Sequence, residues 1–280
     1  MFVSSKKNDN LTAINRYNNF GLRENWIPTL VERREAFFPH KEGHPLGKKM
    51  VEAASAWFQQ AGLISDKLRV PTALVNYFEK HGSSSILGWE LLWMSLANKA
   101  ILVKWFVTQT EFGFAYSTEQ LIGLLGDIAP ELSKSTKDGG VSALKDMLTK
   151  SPFGTGELSV CLIMKGKQVQ SITRKAKNVH PLTVLYGLYL IAEKAGRSSF
   201  TVREMMNADI DSLYVSPITA FGIDPDTFKR QCQGLESKYP GFIQCTFTGG
   251  LDEVKVFPKQ APIESTGYTH DDVIELALGE

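Results

Sequence analysis

The sequence predicts a mainly α protein with small β-hairpins, in which helix-turn-helix or winged-helix-like modules flank a helical middle. Three observations lead there. Apolar residues recur at helical spacing through most of the stretch before Pro152. Short strand-like runs, "LSVCLIM", "FIQCTF" and "VKVF", come after it. The closing order of three helices and a hairpin is the one a winged helix requires. With 280 residues, 43% hydrophobic and 22% charged, the chain has the composition of a soluble globular protein. It divides into an N-terminal helix-turn-helix-like domain (1–70), a helical middle domain (71–153), a C-terminal winged-helix-like domain with a basic segment (154–258) and an acidic tail (259–280).

In the first block Pro28 suits a helix first turn, and Leu30, Val31, Arg34 and Phe37 follow at helical spacing. The next helix carries Met50, Ala54, Trp57, Phe58 and Ala61 on one face. Gly62 stands where a left-handed cap ends it, with Leu63 and Ile64 folding back. The middle block holds four apolar-striped segments. Ser117 with Gln120 forms a capping box, and Trp89, Trp93, Trp105 and Phe106 read as a buried aromatic core. In the third block Thr201 with Glu204 is a second capping box. Asp226 to Lys238 reads as the third helix of the winged helix and Phe242 to Phe257 as its wing. The tail "THDDVIELALGE" reads as a short acidic amphipathic helix.

Apolar runs such as "AILVKWFV" are too short to cross a bilayer, and "MFVSSKKNDN" reads as a polar start without a signal segment. The three cysteines, Cys161, Cys232 and Cys245, fit a reducing compartment and buried thiols. A cytoplasmic protein without membrane partners is expected.

The net charge is +1, but its distribution is uneven. Lys165, Lys167, Arg174, Lys175 and Lys177 lie in a stretch without acidic residues, which as an exposed loop or hairpin would track a nucleic-acid backbone. The helix of "LGKKMVEAASAWFQQAGLI" begins with Lys48 and Lys49, the wrong charge for that end, at a cost of a few tenths of a kcal/mol. An anion bound there removes the penalty, and Gly47 lets a phosphate approach the free N–H groups. Arg23, Arg33 and Arg34 lie upstream, and Lys229 and Arg230 fall on the presumed recognition helix. Double-stranded DNA is the expected partner.

Chemistry is less legible. Asp209/Asp211 and Asp224/Asp226 are D-x-D pairs of the kind that hold Mg or Mn for phosphodiester cleavage, although capping and turn duty explain Asp224 equally well. His40 and His44 would ligate a metal only on a helix, and Gly43 and Pro45 favour a loop. Phosphate-binding, dinucleotide, Cys-x-x-Cys and nucleophile-elbow motifs are absent.

The succession of Phe20, Leu22, Arg23 and Trp26, then "LGKKMV", then Trp57 with "AGLI", resembles a bacterial domain-of-unknown-function family, number four thousand and seven in its series. The family has a Gly-Lys-Asn-Met-Val core, so Lys49 replaces the Asn; the usual Gly-His before the Phe motif is not seen. The resemblance implies a DNA-binding component of a DNA sulfur-modification (phosphorothioation) system of phage defence, with or without nicking of the DNA that lets sulfur be inserted. It implies a phosphoadenosine-phosphosulfate-reductase-like sulfurtransferase as partner. The alternative is a non-catalytic winged-helix regulator, or an adaptor docking that sulfurtransferase. A sulfur-handling enzyme using one of the cysteines is the third reading, and the apolar segments around them oppose it.

Overall fold

The computed structural model describes residues 11–38, 40–65, 68–156, 159–165, 169–248, 250–259 and 267–280. The chain is mainly helical, with two small antiparallel sheets. A 3₁₀ turn, Leu11–Tyr17, precedes α1 (Trp26–Arg33) and α2 (Lys48–Gln60). Ala54, Trp57, Phe58 and Ala61 are buried as the helical spacing predicts, and Gly62 closes α2 at φ +75°. Tyr17 stacks on Trp57 at 4.0 Å between ring centroids, and the Trp57 indole donates to the Phe20 carbonyl at 2.8 Å. These contacts tie the N-terminal segment across α2.

Four further helices precede the middle of the chain: α3 (Ala73–His81), α4 (Ile86–Lys99), α5 (Ile101–Gln109) and, after strand β1 (Ala115–Ser117), α6 (Thr118–Ile128). The Ser117–Gln120 capping box that starts α6 is present. Helix α7 (Lys134–Lys150) follows. Helix α4 is buried from Gly88 to Asn98, as a helix apolar on all sides must be. Trp89, Trp93, Trp105 and Phe106 are buried in the core. Two of the indoles are satisfied by carbonyls, Trp89 by Ser83 and Trp93 by Ala220. Among the described residues no single helix is long and apolar enough to cross a membrane; α4 and α5 meet at 92°.

Strands β2 (Cys161–Lys165) and β3 (Val169–Arg174) complete a sheet of order β1-β3-β2, so the stretches on either side of residue 153 share one sheet. Helix α8 (Pro181–Ala195) then packs against α4. The approach is close: a Cβ on Gly187 would lie 2.7 Å from the Pro217 ring and 3.0 Å from the Met94 sulfur. The remaining elements are β4 (Ser199–Thr201), α9 (Val202–Met205), α10 (Pro217–Phe221), α11 (Pro225–Lys238), β5 (Ile243–Thr246) and β6 (Glu253–Val256). The second sheet has the order β4-β6-β5, all antiparallel. The expected Thr201–Glu204 capping box starts α9. The acidic tail helix, α12 (His270–Leu278), is capped by Thr269 and Asp272 and packs on α3 and α8 through Val273, Ile274 and Ala277.

Candidate nucleic-acid interface

The start of α2 is built as an open cation-rich end. Gly47 is its N-cap at φ −65° and ψ 156°, no side chain caps the first turn, and that turn carries no acidic residue. Lys48 and Lys49 are exposed. Nothing lies within 4 Å of where a Gly47 Cβ would stand, so the backbone there is open to a ligand.

From this end a groove follows α2. Its first part, about 690 Å³, is lined by Lys48, Ser55, Gln59, Arg16, Arg69 and their neighbours. Arg16 and Gln59 also line a second part of about 710 Å³, with Lys99, Lys194, Glu193 and His270. Arg16, Lys99 and Lys194 continue into a third part of about 240 Å³ that adds Lys104. Helix α2 alone has 13 residues, a length of about 20 Å, so the groove is long enough for several phosphates of one DNA strand. Its carboxylates are Glu52 and Glu193, and Glu193 is held by the His270 ring at 2.7 Å and its backbone N–H at 2.8 Å.

The far end of the groove gathers three lysines from three helices. Lys104 of α5 donates to the Ser212 carbonyl at 2.5 Å. Lys194 of α8 donates to the Asn98 carbonyl at 2.9 Å, and Lys99 closes α4. Asn98 is itself fixed: its amide donates to the Met94 and Val215 carbonyls and accepts from the Val215 N–H. Desolvation, then the charges of Lys104 and Lys99, push the Lys194 amine down to about 8. Sequence reasoning missed these lysines because each is a single lysine in its stretch of the chain.

The basic run does not present its cations as expected. Arg174 is buried at 4% exposure. Its guanidinium donates to the Val107 carbonyl at 2.6 Å, the Thr110 carbonyl at 2.9 Å and the Thr219 carbonyl at 2.6 Å, and it lies 3.8 Å from the Phe112 ring centre. It rivets α5, β3 and α10, and burial pulls it down to about 10. Arg174 is therefore a structural residue and not a phosphate contact. Strand alternation is the reason: Ile172 and Arg174 share the inward face of β3. Lys177 lies 3.8 Å from buried Glu90, which also accepts from the His180 N–H and the Thr183 hydroxyl. Lys175 is half-buried, Lys165 ends β2, and Lys167 lies outside the described residues.

Four other expected cations have protein partners. Arg23 is paired with Asp146 at 2.9 Å and lies over Phe20 and Trp26. Arg34 bonds Glu79 and Asn76, and half-buried Arg33 closes α1. On α11, Lys229 is paired with Asp252 at 2.6 Å, and exposed Arg230 donates to the Thr227 hydroxyl. Of the expected set, Lys48 lines the groove, and exposed Gly47 and Lys49 adjoin it in the chain.

The acidic pairs serve local structure. Asp224 is the N-cap of α11, accepting from the Thr227 N–H at 2.9 Å, with Asp226 in the first turn. The Asp209 carboxylate accepts from the Asp211 N–H at 2.9 Å in a turn. Among the described residues no group of three His, Cys, Asp or Glu side chains is placed to hold a metal ion. His40 and His44 lie in a loop with ring centres 5.6 Å apart. Cys161 and Cys232 are buried, and burial raises both thiols above their usual range.

No protein family and no curated protein matches the chain in sequence. In fold, the chain is similar to SspB. A magnesium-ion-bound SspB crystal structure matches at a TM-score of 0.67 and 15% identity, covering 94% of this chain and 86% of that one. A second SspB crystal structure matches at a TM-score of 0.66 with the same identity and coverage. At that identity the likeness describes architecture.

Proposed function

We propose that this chain is a DNA-binding component of a DNA sulfur-modification system, and that it holds the duplex backbone in the groove beside α2. The observation that carries the DNA part is the groove itself: an uncapped, lysine-bearing helix end continuous with Arg16, Arg69 and the cluster Lys99, Lys104 and Lys194. Phosphate contacts of this kind position a protein on DNA without reading sequence. The modification-system part is supported by the family-like N-terminal motif and by the likeness in fold to SspB.

The third block, read as a winged helix, places α11 as its recognition helix. Lys229 and Lys238 there are held by Asp252 and Glu280, and Glu236 accepts from the Cys245 N–H. That pairing favours a second reading for this block alone: it docks a partner protein, the sulfurtransferase. The donor set does not fit a metal cage built from the described carboxylates, so no cleavage step is derived. Nicking is tested directly by supercoiled plasmid with magnesium or manganese, where relaxed circles report it.

The experiment for DNA binding is a titration of the full chain with a labelled duplex between 50 and 200 mM salt. With about five phosphates engaged, log K falls with log salt at a slope of about −4 to −5. Binding that ignores salt, or no binding, rejects the reading.

A further inference from the structure

The far end of the groove differs from the part along α2. Beside α2 the cations Lys48, Arg69 and Arg16 are spread along a wall, as single phosphodiester charges require. At the other end Lys99, Lys104, Lys194 and Arg16 converge on about 240 Å³ whose lining includes no carboxylate. Asp209 and Asp211 act on Lys104 from outside that lining, and Glu193, in the neighbouring part, is held by His270. Two backbone carbonyls, of Ser212 and Asn98, take one N–H each from Lys104 and Lys194 and fix both ammonium groups. Each ammonium has three donors, so two on each are not taken up by these carbonyls. Lys104 and Lys99 disfavour the charge on Lys194, and a multiply charged anion removes that cost.

We propose that this pocket binds a phosphate monoester dianion, the terminal phosphate of a nucleic-acid end or of a free small molecule. The inference goes beyond duplex-backbone binding: its ligand carries two charges and an unsubstituted phosphate.

The test has two arms on the full chain. In the first, inorganic phosphate at pH 7.5 is followed by phosphorus NMR as the chain is added, alongside the K104Q/K194Q variant and the separate K99Q variant at an exposed position. Exchange broadening for the parent that is lost in K104Q/K194Q and weakened in K99Q, with melting curves that show all three folded, is the expected result. In the second arm a duplex bearing terminal phosphates is compared with the same duplex ending in hydroxyls. A preference of about tenfold for the phosphorylated duplex, abolished in K104Q/K194Q, assigns the pocket to nucleic-acid ends. Equal duplex affinities with inorganic phosphate still bound assign it to a free phosphate ligand. No broadening and no end preference, or broadening that persists in folded K104Q/K194Q, overturns the proposal. Phosphate binding by a chain that binds no duplex would reject the groove reading and leave this one standing.

Discussion

Two cationic regions of this molecule do opposite things. The run from Lys165 to Lys177 is dense in basic residues along the chain, yet its arginine is buried against three carbonyls and Lys177 serves a buried glutamate. Lys99 and Lys104 lie on successive helices and Lys194 lies 90 residues further on, yet the three meet at one end of a groove. Charge that is clustered in sequence is not thereby clustered in space. A β-strand sends alternate side chains inward, whereas helices from distant segments can bring solitary lysines onto one wall.

The largest effect that separates the two regions is expected from Arg174. R174A leaves three carbonyls without their donor and should cost about 3–5 kcal/mol, a fall of roughly 10 °C or more in melting temperature. Duplex binding by the folded fraction should be unchanged. A stable R174A that binds DNA poorly would restore the basic run as an interface. Next in size is K48E/K49E at the open end of the groove. Duplex affinity should drop about ten- to a hundredfold at moderate salt, with the salt slope smaller by about two. Stability of the free chain should rise by about a few tenths of a kcal/mol, because the helix start then carries the favourable charge.

Smaller still is D224A, which removes the cap of α11 and should lower the denaturant midpoint slightly, with DNA affinity unaltered. The smallest effect is a pH signature at Lys194, because solvent around its exposed side chain screens it. Its amine titrates near 8 in the folded chain and near 10.4 when unfolded, so the unfolded state holds more protons between those values. Stability from this group is therefore full above the unfolded value and is lost as pH falls through about 8. K194M should melt slightly higher than the parent at pH 7 and lack part of its gain between pH 8 and 10. Arg16, Lys99, Lys104, Glu193 and His270 around it, and Asp209 and Asp211 near Lys104, are kept constant in that comparison.

Much of the fold was legible because local signals agreed with tertiary packing. Ser117–Gln120, Thr201–Glu204 and Gly62 act at the predicted helix ends, and the tryptophans of α4 and α5 are core, as their apolar neighbours require. The open end at Gly47, Lys48 and Lys49 was legible too, since two lysines at a helix start are unexplained by folding. Arg174 was misread through composition, although the alternation of "SITR" places it with Ile172 on the inward face. Lys99, Lys104 and Lys194 carry a weaker signal: lone lysines inside "LANKAILVKWF" and "LIAEKAG". Nothing in local pattern says that three such residues converge, because that depends on how α4, α5 and α8 cross.

The most direct measurement compares salt dependence of duplex affinity for the parent, the K99Q/K104Q/K194Q variant and the K175Q variant. The groove predicts a parent slope of about −4 to −5 that shrinks by about one to two in the triple variant and is unchanged in K175Q. A triple variant that binds with the parent's slope, while K175Q loses it, would contradict the account.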